Sequence, residues 1–479
     1  MMLASKLLGE GWLREHEDMD ITGIAYDSRC VEPGNIFVCI KGFEQDGHIY
    51  AQMAEKKGAA IIVAEDTVDV KVPVYYTQDT RKMVAHLAAT FYQNPSEKFC
   101  LIGVTGTNGK TTTTYLIKSI LESAGKCVGI IGTNQNIIGD KVLVTQSTTP
   151  TTPNALELQQ LFDEMVRGGA EYVVMEVSSH ALALDRVYGC KFDIGVFTNI
   201  TQDHLDFHGT MERYFEAKAK LFDMCDLGVV NYDDAGGKRI CADKSCPILK
   251  AGLENGCDLM AKDLKVSARG VDFEIEYQAQ TYPMHISIPG KFSVYNALSA
   301  IGCALHLGIG MQEIQKGMAE ACGVIGRVEV VPTNTDYTVI IDYAHTPDGL
   351  ENIISTVKEF TKGRVITLFG CGGDRDATKR GIMGEIAGRL SDYSIITSDN
   401  PRTEAPEKIV ADIEEGMKKT QGDYTVIVDR REAIGYAMNF AKKDDVVILA
   451  GKGQETYQII GREKHDFDER VIVYQFLNK

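Results

Sequence analysis

The sequence predicts an α/β protein of three domains, and three observations carry that reading. The chain has 479 residues, more than one hydrophobic core fills, and domains of about 150 residues give three. Short apolar runs that end in polar Gly- or Pro-containing turns alternate with amphipathic segments of helical period, the pattern of a parallel sheet. Two stretches, "NPSEK" (94–98) and "GRVEVV" (326–331), interrupt that alternation as a linker and a hinge. The domains so delimited are 1–97, 98–327 and 328–479.

In the first domain "NIFVCI" (35–40), "AAIIVAE" (59–65) and "VPVYYT" (72–77) read as strands. The turns "EPGN" and "EQDGH" separate them, and "RKMVAHLAATFYQ" (81–93) reads as a helix. The second opens with "FCLIGVTGTNGKTTTTYLIKSILESAGK" (99–126), a buried strand, a Gly-containing turn and an amphipathic helix; "EYVVMEV", "IGVFTNI" and "LGVVNYD" continue the strands. The third repeats the arrangement with "YTVIIDYAHTPD", "RVITLFGCGGDRD", "YSIITSDNPR" and "DVVILAGKGQE". Ligands of open α/β sheets bind outside the carboxyl ends of the strands, so these four loops belong on one rim.

Bulk composition excludes several partners. A formal net charge of -17 argues against nucleic acid and anionic membrane surfaces, which want a basic face. No run reaches the roughly 18 apolar residues of a membrane span, and "MMLASKLLGEGWLREHEDMD" turns acidic too early for a secretory leader. The twelve cysteines form no CxxC pair, and many lie in apolar runs such as "AIGCALHLGIG". They read as reduced core residues of a cytoplasmic protein. Nothing in the sequence demands more than a monomer.

The sharpest local signal is "VTGTNGKTTT" (104–113). Gly106 and Gly109 let the backbone turn with its N–H groups inward, around Thr107 and Asn108, to make an anion nest at a helix N-terminus. Lys110 is placed for the outer phosphates of a nucleotide, Thr111 offers a hydroxyl to Mg²⁺, and Thr112 follows in the first helical turn. The usual GxxxxGK[ST] spacing is not met, because position 104 is Val. The reading is an ATP or GTP site.

"GTNGKTTT" resembles the Mur ligase family, ATP-dependent amide-forming enzymes that include folylpolyglutamate synthetases, and the resemblance extends over the whole chain. It implies an N-terminal uridine-nucleotide-binding α/β domain, a central P-loop ATPase-like parallel-sheet domain and a C-terminal Rossmann-like domain. It also implies that Glu176, at the end of "YVVMEV", binds Mg²⁺ bridging the nucleotide phosphates, and that His204 in "FTNITQDHLDFHG" stands at a second Mg²⁺. His204 and His208 are four apart, but without an HExxH pattern zinc is the weaker reading. In "MERYFEAKAKLF" the residue types alone leave Lys218 and Lys220 equivalent; the family's motif aligns Lys218 with a lysine that becomes carbamylated. Asn296, Arg327 and Asp342, with His345, match nucleotide-binding positions, which implies ATP held between two domains that close on it.

The stretch "YDSRCVEPGNIFVCIKGFEQDGHIYAQMA" resembles the uridine-binding domain of the family member that adds the third amino acid to UDP-N-acetylmuramoyl-L-alanyl-D-glutamate. Ser28, Phe43, Glu44 and Gln45 match its uridine side, and Thr151, Thr152, Ser178 and Arg186 its sugar-peptide side. Leu184 stands where some relatives have Gln. The incoming residue is meso-diaminopimelate or L-lysine, and only the first carries a carboxylate beside its distal ammonium. Within the family "DNPR" marks the diaminopimelate enzymes, and Asp399, Asn400, Pro401 and Arg402 match it letter for letter. Arg375, Gly451 and Glu455 match the rest of that pocket. The implied reaction is attack of a carboxylate on ATP, an acyl phosphate, then attack by the amine, with Lys110, Glu176, His204 and Lys218 as the catalytic groups. A lysine-adding ligase and a nucleotide-gated P-loop binding protein are the alternatives.

Overall fold

The structure, a computed structural model, describes residues 1–9, 11–12, 16–42, 45–143, 149, 151–267, 270–321 and 323–477. The chain packs as two units, Met1–Asp258 with Ser299–Ile314, and Leu259–Leu298 with Gln315–Lys479.

The first unit begins with a four-stranded sheet, Gly23–Ala25, Asn35–Val38, Ile61–Ala64 and Val74–Tyr76 in that order, every pair parallel. The helix Thr80–Phe91 starts where the Asp79 side chain accepts the Lys82 N–H, and it buries Val84 and Leu87 beside Ile36, Val38 and Val63. "NPSEK" is a packed 3₁₀ turn, Pro95–Glu97, with Pro95 and Ser96 buried.

The larger sheet of this unit is built on Cys100–Thr105, flanked by Tyr172–Glu176 and Phe192–Phe197. Val128–Ile131 lies beyond one flank, and Cys225–Asn231 and Ile248–Gly252 beyond the other, all parallel. Parallel strands covered on both faces need apolar residues throughout, and Leu101–Thr105 is buried at each position. Phe162, Phe192, Phe197 and Phe222 fill the core, each contributing roughly 1.5–3 kcal/mol. Register decides the site: Glu176 pairs with Val104, and Phe197 with Thr105. Three adjacent strands therefore end level, and their loops share one rim.

The second unit holds an antiparallel meander, Leu259–Ser267, Gly270–Tyr277 and Gln280–Ile286, which the sequence reading did not anticipate. Its main sheet runs Glu329–Val331, Thr338–Asp342, Val446–Ala450, Val365–Phe369, Tyr393–Ile396, Tyr424–Val426. The first of these, from the hinge stretch, is an antiparallel edge strand; the others are parallel. The four strands singled out from sequence are thus neighbours, with Asp342 paired to Ala450 and Phe369 to Ile396. Their loops do share one rim. Cysteines among the described residues are free thiols, and no helix among those residues is long and apolar enough to cross a membrane.

Candidate active site

The phosphate loop is held in shape by the neighbouring strand end. Gly106 has φ 148°, and a Cβ there would lie 1.9 Å from the Thr198 hydroxyl oxygen. That close approach excludes any side chain. The Thr107 N–H donates to the Asn199 carbonyl (2.9 Å) and the Asn108 N–H to Asn199 Oδ1 (3.0 Å). Thr198 Oγ1 donates to the Asn108 carbonyl at 2.6 Å. Gly109 is left-handed, and no side chain caps the helix Lys110–Ser123 that follows. The amides of its first turn, at Lys110, Thr111 and Thr112, are the donors a helix leaves for an anion. Lys110 Nζ folds back onto the Gly106 and Thr107 carbonyls at 3.1 and 2.9 Å.

Glu176 is 1% exposed and faces this helix. Its Oε1 accepts from Thr111 Oγ1 and the Thr133 N–H, both at 2.9 Å, and its Oε2 from Thr133 Oγ1 at 3.1 Å. These partners are neutral hydroxyls and an amide, which leaves a buried carboxyl group without a cation among them. Gly132 makes room for it, since a Cβ there would stand 2.4 Å from Oε1.

The helix Met211–Ala219 separates the two lysines that sequence left equivalent. Lys218 lies four residues on from Tyr214, on the buried face, whereas Lys220 is exposed and reaches only the Leu182 carbonyl at 3.4 Å. Lys218 is 2% exposed and its Nζ donates to the Gly106 carbonyl at 2.7 Å. Burial, reinforced by Lys110, pushes its ammonium well below the ordinary lysine range. Burial thus favours the uncharged amine beside the phosphate loop. His204, left-handed at φ 52°, puts an exposed ring against His180, 4.8 Å between centroids. His208 is buried and bonded to Ser179 Oγ at 3.0 Å. No group of three His, Cys, Asp or Glu side chains among the described residues gathers around His204 and His208.

A cavity of about 540 Å³ opens in the same unit, lined by Ser28, Gln45 and Arg186 together with Tyr26, Asn154 and Leu184. Its size suits a nucleotide-sized ligand. Phe43 and Glu44 lie outside the described residues. Tyr26 hydrogen-bonds Glu157 and accepts from Asn154 Nδ2 at 3.0 Å; burial pushes its phenol up. Thr152 links the cavity to the phosphate site. Its carbonyl accepts from Arg186 Nη1 (3.0 Å), its hydroxyl donates to the Glu176 carbonyl (2.9 Å), and the Ser178 N–H donates to that hydroxyl (3.0 Å). Thr151 reaches Thr133 with its own hydroxyl, 3.0 Å away.

In the second unit Asp342 is buried, and both its oxygens are taken by backbone N–H groups, those of Val328 and Ala344, each at 2.8 Å. Burial raises its pKa against the opposing pull of Arg327. The carboxylate thus holds the loop carrying Arg327, whose guanidinium lies 5.1 Å from the Tyr343 ring. Asn296 is buried on the helix Lys291–His306.

The rim of that unit gathers the "DNPR", "GGDRD" and "GKGQE" loops. Asp399 and Asn400 are buried, and Asn400 Nδ2 donates to Glu455 Oε2 at 2.8 Å. Pro401 is buried as well. Arg402 is left-handed (φ 51°); its N–H donates to the Ile459 carbonyl (3.1 Å) and its Nη1 to the Gly373 carbonyl (2.7 Å). Arg375 is exposed, bonded to the Asp374 carbonyl at 3.2 Å. Gly451 has φ 116°, and a Cβ there would meet Asp399 Oδ2 at 2.7 Å. Beneath the loops the fully buried Arg430 pairs with Glu469 at 2.8 Å and donates to the carbonyls of Ala450 (2.8 Å) and Ser398 (3.4 Å). It ties the last residues before two of the three loops together.

Residues 20–92 match the Mur ligase family catalytic domain, 104–304 the Mur ligase middle domain, and 326–453 the Mur ligase glutamate ligase domain. A UDP-N-acetylmuramoyl-L-alanyl-D-glutamate--2,6-diaminopimelate ligase of Caldanaerobacter subterraneus subsp. tengcongensis is 50% identical over 468 residues, covering 97% of this chain and 96% of that protein. The chain belongs to the Mur ligase family.

Another Mur ligase relative, the UDP-N-acetylmuramoyl-L-alanyl-D-glutamate--2,6-diaminopimelate ligase 1 of Clostridium acetobutylicum, is 49% identical over 96% of both chains. A solved structure of a 2,6-diaminopimelate ligase of the same name superposes with a TM-score of 0.73 at 33% identity, covering 96% of this chain and 95% of that one. The MurF ligase of Thermotoga maritima, solved in complex with ADP, shares the fold at 19% identity, with a TM-score of 0.63 over 95% and 96% of the two chains. In this Mur ligase, sequence reasoning missed Gly132 and Thr133 around Glu176, and Tyr26 and Asn154 in the cavity. "VGIIGT" ends in the same strand-then-glycine pattern as the phosphate strand, a signal that would have found the first pair. Tyr26 offers no such signal, because its partners are more than a hundred residues away in the chain.

Proposed function

We propose that this Mur ligase joins meso-diaminopimelate to the side-chain carboxylate of the D-glutamyl residue of UDP-N-acetylmuramoyl-L-alanyl-D-glutamate, a step of peptidoglycan precursor synthesis, with cleavage of ATP to ADP and phosphate. The observation that carries the reading is the "DNPR" turn, where Arg402 and Glu455 supply opposite charges on one rim. A zwitterionic distal end answers both, and a bare ammonium answers only one. The full-length identity to proteins of that name supports it.

The residues at the phosphate loop suit magnesium, since an uncompensated buried carboxylate and a threonine hydroxyl are hard oxygen donors. Thr111 and Glu176, with His204 and a carbamylated Lys218, would hold it, and when bound it neutralises charge on the nucleotide phosphates. Lys218 is suited to that modification: burial favours its uncharged amine, which adds to CO₂ as a C–N bond forms and a proton leaves, so a neutral side chain becomes an anion. The first-turn amides and Lys110 receive the phosphates and offset their repulsion of the incoming carboxylate. The carboxylate oxygen attacks the γ-phosphorus as ADP leaves. The amine of diaminopimelate then attacks the acyl phosphate carbon, phosphate leaves, and the amine loses a proton. The cavity lined by Ser28, Gln45 and Arg186 takes the uridine-sugar end, and Thr152 couples its position to Glu176. ATP as co-substrate and free thiols at the described cysteines fit a cytoplasmic enzyme.

The test is ADP release by purified protein with ATP, Mg²⁺ and the uridine dipeptide, in parallel with meso-diaminopimelate, L-lysine or neither. Release with diaminopimelate alone is expected. Release with lysine alone would overturn the account of the turn, and release with neither amino acid would remove the ligase reading. Separately, ¹³C-labelled bicarbonate is expected to give a carbamate resonance that Lys218→Arg abolishes.

A further inference from the structure

We infer that Lys452, the lysine of "GKGQE", is a positioning residue that sets the charge selectivity of the pocket for the incoming amino acid. The inference rests on the reading of the C-terminal rim as the diaminopimelate pocket and concerns how that pocket discriminates.

Lysine is almost never fully buried unless paired, yet the Lys452 side chain is 0% exposed. Its Nζ donates to Glu455 Oε2 at 3.1 Å and to Asn400 Oδ1 at 3.2 Å. The rings of Tyr457 and Phe467 lie 5.8 and 5.9 Å from it. The ammonium is thus sealed behind the two side chains assigned to the substrate and does not line the surface itself.

Two consequences follow from this placement. The first concerns geometry. Asn400 Oδ1 accepts from both Lys452 Nζ and the Ile459 N–H (2.9 Å). A flipped amide would turn its NH₂ toward two donors, so the amide is locked with Nδ2 on Glu455 Oε2 at 2.8 Å. Both donors to Glu455 then fall on one oxygen. Its Oε1 takes no protein donor among the described residues, and it is left for an ammonium of the substrate.

The second concerns charge. A carboxylate with no fixed cation would favour any ammonium, that of lysine included. With Lys452 already paired to it, Glu455 gains less from a bare ammonium, and binding comes to depend on the distal carboxylate that Arg402 reads as well. Lys452 thereby favours a zwitterionic end over a cationic one without touching either.

The experiment compares wild type and Lys452→Met as full-length enzymes, measuring kcat and KM for diaminopimelate, L-lysine and ATP, with thermal melting as the folding control. Loss of one buried charge-assisted bond should raise KM for diaminopimelate by roughly tenfold. The ratio of kcat/KM for diaminopimelate over lysine should fall by a similar factor, with KM for ATP unchanged. A KM and a ratio both within twofold of wild type overturn the proposal, and so does an equal rise in KM for ATP, which would mark a merely structural role. If Lys452→Met does not fold, Glu455→Gln is compared with Lys452→Met/Glu455→Gln. Because Lys452 acts through the Glu455 carboxylate, the two should share one selectivity ratio, and a difference beyond twofold overturns the proposal. Wild type that turns over no diaminopimelate would instead remove the pocket reading beneath it.

Discussion

Replacing Arg402 with alanine isolates the group on which the choice of amino acid depends. The backbone of residue 402 is anchored independently of its side chain, since its N–H donates to the Ile459 carbonyl at 3.1 Å and its carbonyl accepts the Gly461 N–H at 2.7 Å. The variant should therefore keep the turn. One donor group, Nη1, is committed to the Gly373 carbonyl at 2.7 Å. Among the described residues no acceptor takes a bond from Nε or Nη2, so that edge of the guanidinium can receive a carboxylate. A hydrogen bond to a charged partner is worth about 1.5–3 kcal/mol net, or roughly 10- to 150-fold in kcat/KM. Arg402→Ala is expected to lose that factor for meso-diaminopimelate. Arg402→Lys, which keeps the charge but not the fork, is expected to lose less. The assay is coupled ADP release with diaminopimelate as the varied substrate at saturating ATP and uridine dipeptide, after melting curves show folded protein. A folded Arg402→Ala enzyme with kcat/KM for diaminopimelate within threefold of wild type would refute the reasoning. So would a loss that falls equally on ATP.

Other outcomes follow from the same geometry. Gly106→Ala places a Cβ 1.9 Å from Thr198 Oγ1; nucleotide-dependent turnover should fall by more than about 100-fold, while calorimetry should still find the uridine dipeptide bound in its cavity. Arg430→Met leaves Glu469 buried without its cation and should cost about 3–5 kcal/mol in denaturant unfolding, more than Arg430→Met/Glu469→Leu, which removes both charges. Asp445 is 3% exposed and pairs with Arg364 at 2.7 Å. Burial raises its pKa, but the hydrogen bonds from Arg364 and the backbone outweigh it, so the carboxyl titrates below its usual range. The folded-state value is depressed, so this stabilisation is complete above the unfolded value near pH 4. It is lost as pH falls through the folded value, and Asp445→Asn should flatten the acid limb of a melting-temperature profile there.

Much of the site was legible because its chemistry is local. A glycine nest and a lysine at a helix start, or an Asp-Asn-Pro-Arg turn after a strand, are written in consecutive residues, since turn geometry is set by the residues that make it. The sequence also placed four loops on one rim, and the observed registers put them there. Tertiary structure decided what depends on distant segments. It set Val446–Ala450, the last strand of the main sheet in sequence, between Thr338–Asp342 and Val365–Phe369. It buried Lys218, which favours its uncharged form, and left Lys220 exposed. It brought Thr133 to Glu176, and Glu469 under the loops through Arg430. Two lysines two residues apart, one in the last turn of the helix Met211–Ala219 and the other just past its end, are told apart only by the surface each one meets. Dihedral preference acts over a few residues, whereas burial and charge pairing act between whatever the fold brings together.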